Sequence, residues 1–176
     1  MIYPIKLYGD PILRKKSSPI TVDYPNLKKM IIDMYETMHR AKGAGLSAIQ
    51  IGIPIRLFVI EAHIEKENFH FRETFINPVI HREWGKSIQH PEGCLSIPGL
   101  TAVLERPENL EISYLDGDFE NKTKIFGGFE ARIIQHEYDH LEGKLYTDHL
   151  PHMWNSLLEK PLELIEKGII KPEYLT

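Results

Sequence analysis

Four strand-like runs follow one another through the middle of the chain: "IRLFVIEA" (55–62), "FINPVI" (75–80), "NLEISYLD" (109–116) and "TKIFGG" (123–128). Helical patterns lie before and after them rather than between them, which argues for an α+β domain and against a βαβ array. On the N-terminal side, Leu27, Met30, Ile31, Met34, Tyr35 and Met38 recur at spacings of three and four. That period predicts a helix over 25–42, with Pro25 in its first turn and Gly43 as its stop. A second helix is expected over 129–142, closed by Gly143. A third should begin near Pro151 or His152 and carry Trp154, Leu157, Leu158, Leu162 and Ile165, with Pro161 kinking or dividing it. At 176 residues the chain fits one domain, 1–176, with a helical tail from about 151.

Composition excludes several function classes. A net charge of −4 argues against a general nucleic-acid binder, and no specific nucleic-acid motif is present. No apolar run approaches the roughly 20 residues that cross a bilayer, so a membrane role is not expected. The opening "MIYPIKLYGDPILRKK" has neither a long apolar core nor a small-residue cleavage site. With a single cysteine, these features point to a reducing, cytoplasmic setting. Two nucleotide-like stretches fail on context. "GAGLSA" (43–48) follows a helix where a dinucleotide loop must follow a strand, and Ile80 stands where a phosphate loop ending in "GKS" (85–87) needs glycine.

The chemistry concentrates in "IIQHEYDHLEG" (133–143), where His136, Glu137 and His140 form an H-E-x-x-H arrangement. At about 100° per residue, His140 falls about 40° from His136 and about 6 Å along the axis, so both imidazoles can converge on one ion. Glu137 lies about 100° round, on the flank, able to touch a water without being a ligand. Asp139 falls on the opposite flank, suited to a supporting role, and shares that flank with Arg132, a potential ion-pair partner. Phe129 and Ile133 continue the metal-facing stripe and are candidates, with Ala44, for the wall of an apolar pocket.

Two histidines do not complete a metal site. A third histidine six residues beyond His140 would make a metzincin, but that position is Tyr146. A thermolysin-like peptidase would use a later glutamate, Glu159 or Glu163. The remaining candidate is Cys94, in the glycine- and proline-flanked run "PEGCLSIPG" (91–99), read as a tightly turned loop against a strand. One thiolate and two imidazoles would leave a fourth position open, as catalytic sites do. Spacing alone leaves the glutamates and Cys94 both standing.

Three blocks in order, "GAGLSAIQIG" (43–52), "EGCLSIPG" (92–99) and "QHEYDHLEG" (135–143), together resemble the peptide deformylase family, as does the opening "GDPILRKKS". The resemblance implies a deformylase-like α+β fold, with antiparallel or mixed sheets packed around a central H-E-x-x-H helix. It implies hydrolysis of the N-formyl group from N-formylmethionyl nascent polypeptides, releasing formate. Cys94, His136 and His140 would hold one divalent ion, Fe²⁺ in the cell with Zn²⁺, Ni²⁺ or Co²⁺ accepted. Glu137 would serve as general base and then general acid, while the Gln50 side chain and the Leu95 backbone N–H would donate to the developing oxyanion. Gly45 would make backbone contacts along the peptide, and Glu92 counts with the substrate-binding positions. Ser47 departs from the family's usual alanine and adds a hydroxyl. The rivals are a non-catalytic deformylase-like protein that binds metal or the ribosome, and the thermolysin-like peptidase. The tail from His152 to Thr176 carries no motif; as an amphipathic segment it either packs on its own domain or reaches a partner such as the ribosome.

Overall fold

The computed structural model describes residues 1–64 and 69–176, with the side chains of 64, 69 and 152–156 left aside. Five strands form one antiparallel sheet in chain order: β1 (Gly45–Ser47), β2 (Leu57–Ile64), β3 (Phe69–Cys94), β4 (Ile97–Leu115) and β5 (Asn121–Gly127). Three helices accompany it: α1 (Leu27–Arg40), α2 (Gly128–Leu141) and α3 (His152–Glu166). The expected α+β class holds, and the anticipated sheets are a single continuous one.

The reason for this layering is visible in β2. Its run "LFVI" is apolar at every position, the pattern of a strand buried on both faces. Leu57 and Val59 point into a core shared with Met30, Met34 and Met38 of α1. Phe58 and Ile60 point the other way, into a core shared with Ile133, Ile134 and Leu141 of α2. The sheet is therefore covered by α1 on one side and by α2 on the other. Helix α2 touches β1, β2, β4 and β5, which makes it the central helix of the fold.

Several boundaries differ from the sequence expectation. Helix α1 starts at Leu27 behind Asn26, which takes a left-handed φ of 56°, so Pro25 precedes the helix. At its other end Lys42, not Gly43, adopts the left-handed conformation (φ 57°). Gly43 N–H then bonds Met38 C=O and Lys42 N–H bonds His39 C=O, a Schellman closure. Gly43 instead makes room for a neighbour: a Cβ there would sit 2.7 Å from Leu95 Cδ1, so that side chain would have to shift.

The largest difference is the β3–β4 hairpin. Residues 81–91 are exposed throughout and include Gly85 and Pro91, so no buried alternation announces a strand. Pairing with β4 defines it instead, through register shifts near Trp84 and Gly93. The stretch around Cys94 is thus the tip of this hairpin, with Leu95 and Ser96 joining Cys94 to its partner Ile97.

The tail packs on its own domain. Leu162 and Ile165 of α3 are buried against Ile97, Leu104, Leu145 and Tyr146. Helix α3 runs through Pro161 undivided. Leu157, whose carbonyl the missing N–H would have bonded, is 66% exposed, so water can take that bond. The side chain of Trp154 lies outside the described residues.

The stop at Gly143 is as expected. It has φ 71°, and Lys144 N–H bonds Asp139 C=O behind it. A Cβ there would also meet the Arg14 carbonyl oxygen at 2.6 Å. Gly143→Ala combines left-handed strain with a backbone clash and is expected to cost about 2 kcal/mol or more, measured as a lowered urea midpoint. An unchanged midpoint would contradict this account of the turn.

Candidate metal centre and active-site cleft

Helix α2 presents His136 and His140 on one face, and the hairpin tip brings Cys94 to them. Cys94 Sγ lies 3.2 Å from His140 Nε2, and one donor atom from each of the three residues falls within 4.8 Å of the others. Two ligands about 2.3 and 2.0 Å from a tetrahedral ion would stand about 3.5 Å apart, so this donor set fits a single ion. Among the described residues it is the one grouping of this kind. Glu159 and Glu163 are exposed on α3, and Glu163 pairs with Lys167 instead, which removes the thermolysin-like completion.

Without an ion, Cys94 and His136 hold their protons as a pair: burial pushes the His136 imidazole down, but its bonds to Cys94 and Glu92 prevail and keep it well above its ordinary value, so ion binding would release that proton. Burial pushes the Cys94 thiol up, but the charge of His140 and a hydrogen bond from His136 prevail and hold it well below its ordinary value, which favours the thiolate. His136 Nδ1 lies 3.0 Å from Glu92 Oε2. With Glu92 ionised, that ring edge donates its proton to the carboxylate, so Nε2 is the nitrogen that would face an ion once its own proton is displaced.

Glu92, counted with the substrate-binding positions from the sequence, lines the cleft and uses both carboxylate oxygens to anchor this arrangement. Arg106 grips it with two bonds, Nε to Oε1 at 2.7 Å and Nη2 to Oε2 at 3.0 Å. Arg132 Nη1 adds a third at 2.7 Å. Burial opposes its ionisation, yet the bonds from His136 and Arg106 win and hold its carboxyl at about 2. The expected pairing of Arg132 with Asp139 does not form. Asp139 takes Arg106 Nη1 at 2.8 Å and His149 Nε2 at 2.7 Å, while Arg132 turns to Glu92 and the Ile88 carbonyl.

Glu137 is 4% exposed, and burial raises its carboxyl above the ordinary range, partly offset by the charges of His140 and His136 and a bond from Ser47. Ser47 Oγ stands 2.7 Å from Glu137 Oε2 and 3.0 Å from its backbone carbonyl. Gly45 is required beside it, because a Cβ would lie 2.8 Å from Glu137 Cδ. Gln50 is oriented by its own turn: Ser47 N–H bonds Gln50 Oε1 at 2.8 Å. Its amide nitrogen is thereby aimed at the hairpin tip, 3.5 Å from Cys94 Sγ and 3.1 Å from Ser96 Oγ.

A cleft of about 860 Å³ opens over this centre. Ala44, Gly45, Gln50, Glu92, Cys94, Leu95, Phe129, Ile133, His136 and Glu137 all line it, so the sequence-chosen residues converge on one place. His140 sits behind them, 1% exposed. Sequence reasoning missed Arg106, which stands alone in an unremarkable "LERPENL", and the Ile170–Tyr174 stretch, which also lines the cleft.

The model of the polypeptide deformylase family matches residues 2–155. The chain belongs to that family. It is 46% identical to the peptide deformylase of Cytophaga hutchinsonii, over 99% of this chain and 96% of that protein. Among solved family structures, the Thermus thermophilus peptide deformylase superposes with a TM-score of 0.86 at 38% identity, covering 96% of this chain and 99% of that one. The Synechococcus elongatus peptide deformylase in complex with actinonin gives 0.82 at 37% identity, covering 90% and 85%.

The Glu92 contacts generate a prediction about ion binding. Glu92→Gln should hold an ion about 10- to 100-fold more weakly, the usual effect of losing a carboxylate behind a ligating histidine. Competition against a chelator measures it, and equal affinity in the two proteins would refute the role given to Glu92.

Proposed function

We propose that this chain, acting as one metallohydrolase domain, removes the formyl group from N-formylmethionyl polypeptides, yielding formate and a free α-amine. The observation that carries this reading is the meeting, in one cleft, of the Cys94, His136 and His140 cluster with a buried Glu137 and an oriented Gln50 amide. Ferrous iron is the ion proposed in the cell, with zinc, nickel and cobalt suited to the same donors. A bound ion supplies Lewis acidity, which polarises the formyl carbonyl and acidifies water.

The chain's own residues do the rest. Glu137 takes the proton of the attacking water and returns it to the amine nitrogen as the C–N bond breaks. Its raised carboxyl suits it to both halves of that exchange. As negative charge grows on the formyl oxygen, Gln50 Nε2 and the Leu95 N–H donate to it, both fixed before the reaction begins. Phe129, Ile133 and Ala44 offer the methionine side chain an apolar wall, and Gly45 lets the peptide backbone approach closely. The compartment that fits is the cytoplasm, where a reducing setting preserves the single thiolate.

Anaerobically prepared protein is expected to release formate from a formyl-methionyl peptide; none from well-metallated protein would end this reading. Glu137→Ala should keep its metal and lose turnover, whereas Cys94→Ala should lose metal. Gln50→Ala should lower kcat about 100-fold or more.

Ser47→Ala should leave an active enzyme with a shifted pH profile. The hydroxyl favours the Glu137 carboxylate, so its loss raises that pKa further. Since the base works ionised, the acid limb of kcat/KM should move to higher pH. A limb that stays put would show that the hydroxyl does not act on Glu137.

A further inference from the structure

Beyond α3 the chain turns at Gly168 (φ 67°), with the Ile169 and Ile170 N–H groups both bonding Leu164 C=O, and then runs back along the cleft. Its end is pinned on two sides. Leu175 C=O accepts Ile5 N–H at 2.9 Å, and Tyr174 Oη donates to Leu95 C=O at 2.5 Å.

That carbonyl belongs to the peptide unit whose N–H, on Ser96, points at Cys94 Sγ at 3.4 Å. A bond accepted at the oxygen of a peptide strengthens the donor at its nitrogen. The same peptide is held at its edges by Tyr8 N–H on Ser96 C=O (2.8 Å) and by Gln50 Nε2 on Ser96 Oγ. It also follows directly on the Cys94–Leu95 peptide, whose N–H is the backbone donor assigned above.

We propose that Tyr174 is a positioning residue for catalysis: its hydroxyl fixes the Leu95–Ser96 peptide, and through it both the Ser96 N–H on the Cys94 sulfur and the aim of the Leu95 N–H. The C-terminal strap is thus a working wall of the cleft. Burial, followed by the negative charge of Cys94, pushes the phenol up to about 12, so it stays a donor wherever the enzyme works. The kinetic consequence rests on the deformylase reading; the hydrogen bond does not.

The test compares wild type with Tyr174→Phe, which keeps the ring and removes only the hydroxyl. One lost hydrogen bond of ordinary strength should lower kcat about 3- to 10-fold, with KM within about twofold and metal content unchanged. The Ser96 amide resonance should move, because its own carbonyl partner has lost a donor. Wild-type kcat in Tyr174→Phe, or a Ser96 amide that stays in place, would overturn the assignment. A purely packing role predicts that Phe restores what Tyr174→Leu loses; the positioning role predicts that it does not. Wild type gives a check that needs no variant: the Tyr174 hydroxyl proton should be protected from solvent exchange and show contacts to Leu95, and its absence would count against the proposal. If wild type releases no formate, the deformylase reading fails, and these two resonances alone decide the place of Tyr174.

Discussion

A buried carboxylate holds this molecule's working parts together. Glu92 sits near the end of β3, Arg106 on β4, and Arg132, His136 and Asp139 on α2, so their bonds tie three elements at one point. Two guanidiniums and two carboxylates balance, which is what lets four charged groups stay out of water. Removing one partner would leave the others buried and uncompensated, at a cost of about 3–5 kcal/mol. The hairpin and the helix are therefore docked by the same side chain that orients a candidate ligand, and stability and site geometry are coupled there.

The remaining site residues are fixed by equally local means. The turn that follows β1 uses Ser47 and Gln50 against each other, so that one amide oxygen caps the backbone while its nitrogen faces the hairpin tip. Ser47 also reaches Glu137. At the site itself, glycines allow close approach at Gly43, against Leu95, and at Gly45, against Glu137. Tyr146, which rules out a third downstream histidine, instead stacks its ring on His136 at 6.3 Å between centroids.

What the sequence made legible was periodic or local. The apolar stripe of α1, the apolar run that opens β2 and the histidine spacing on α2 are each written in adjacent residues, and each sits as expected. What escaped was set by partners far away in the chain. Residues 81–91 carry no buried face of their own, and only β4 makes them a strand. Arg106 and Tyr174 act through atoms brought to them by tertiary structure, with no pattern nearby to mark them. Glu92 was legible as a member of the site, but its direction was not, since a carboxylate beside a cysteine does not reveal which neighbour it faces. Ser47 stood out as an added hydroxyl, and its partner emerged only when α2 was packed against β1.

His136 and His140 are neighbours on a single helix, whereas Cys94 joins them from 46 residues earlier in the chain. A bond from an ion to both Cys94 and His140 therefore acts as a cross-link that closes a loop of that length. Closing such a loop in a free chain costs about 3–4 kcal/mol of entropy. The folded hairpin has already met that cost, so three donors could grip an ion without incurring it again. The coupling would be reciprocal: were an ion held by these three donors, a chelator that strips it would also release a staple between the hairpin tip and the helix, so loss of metal would loosen the tertiary fold as well as the site.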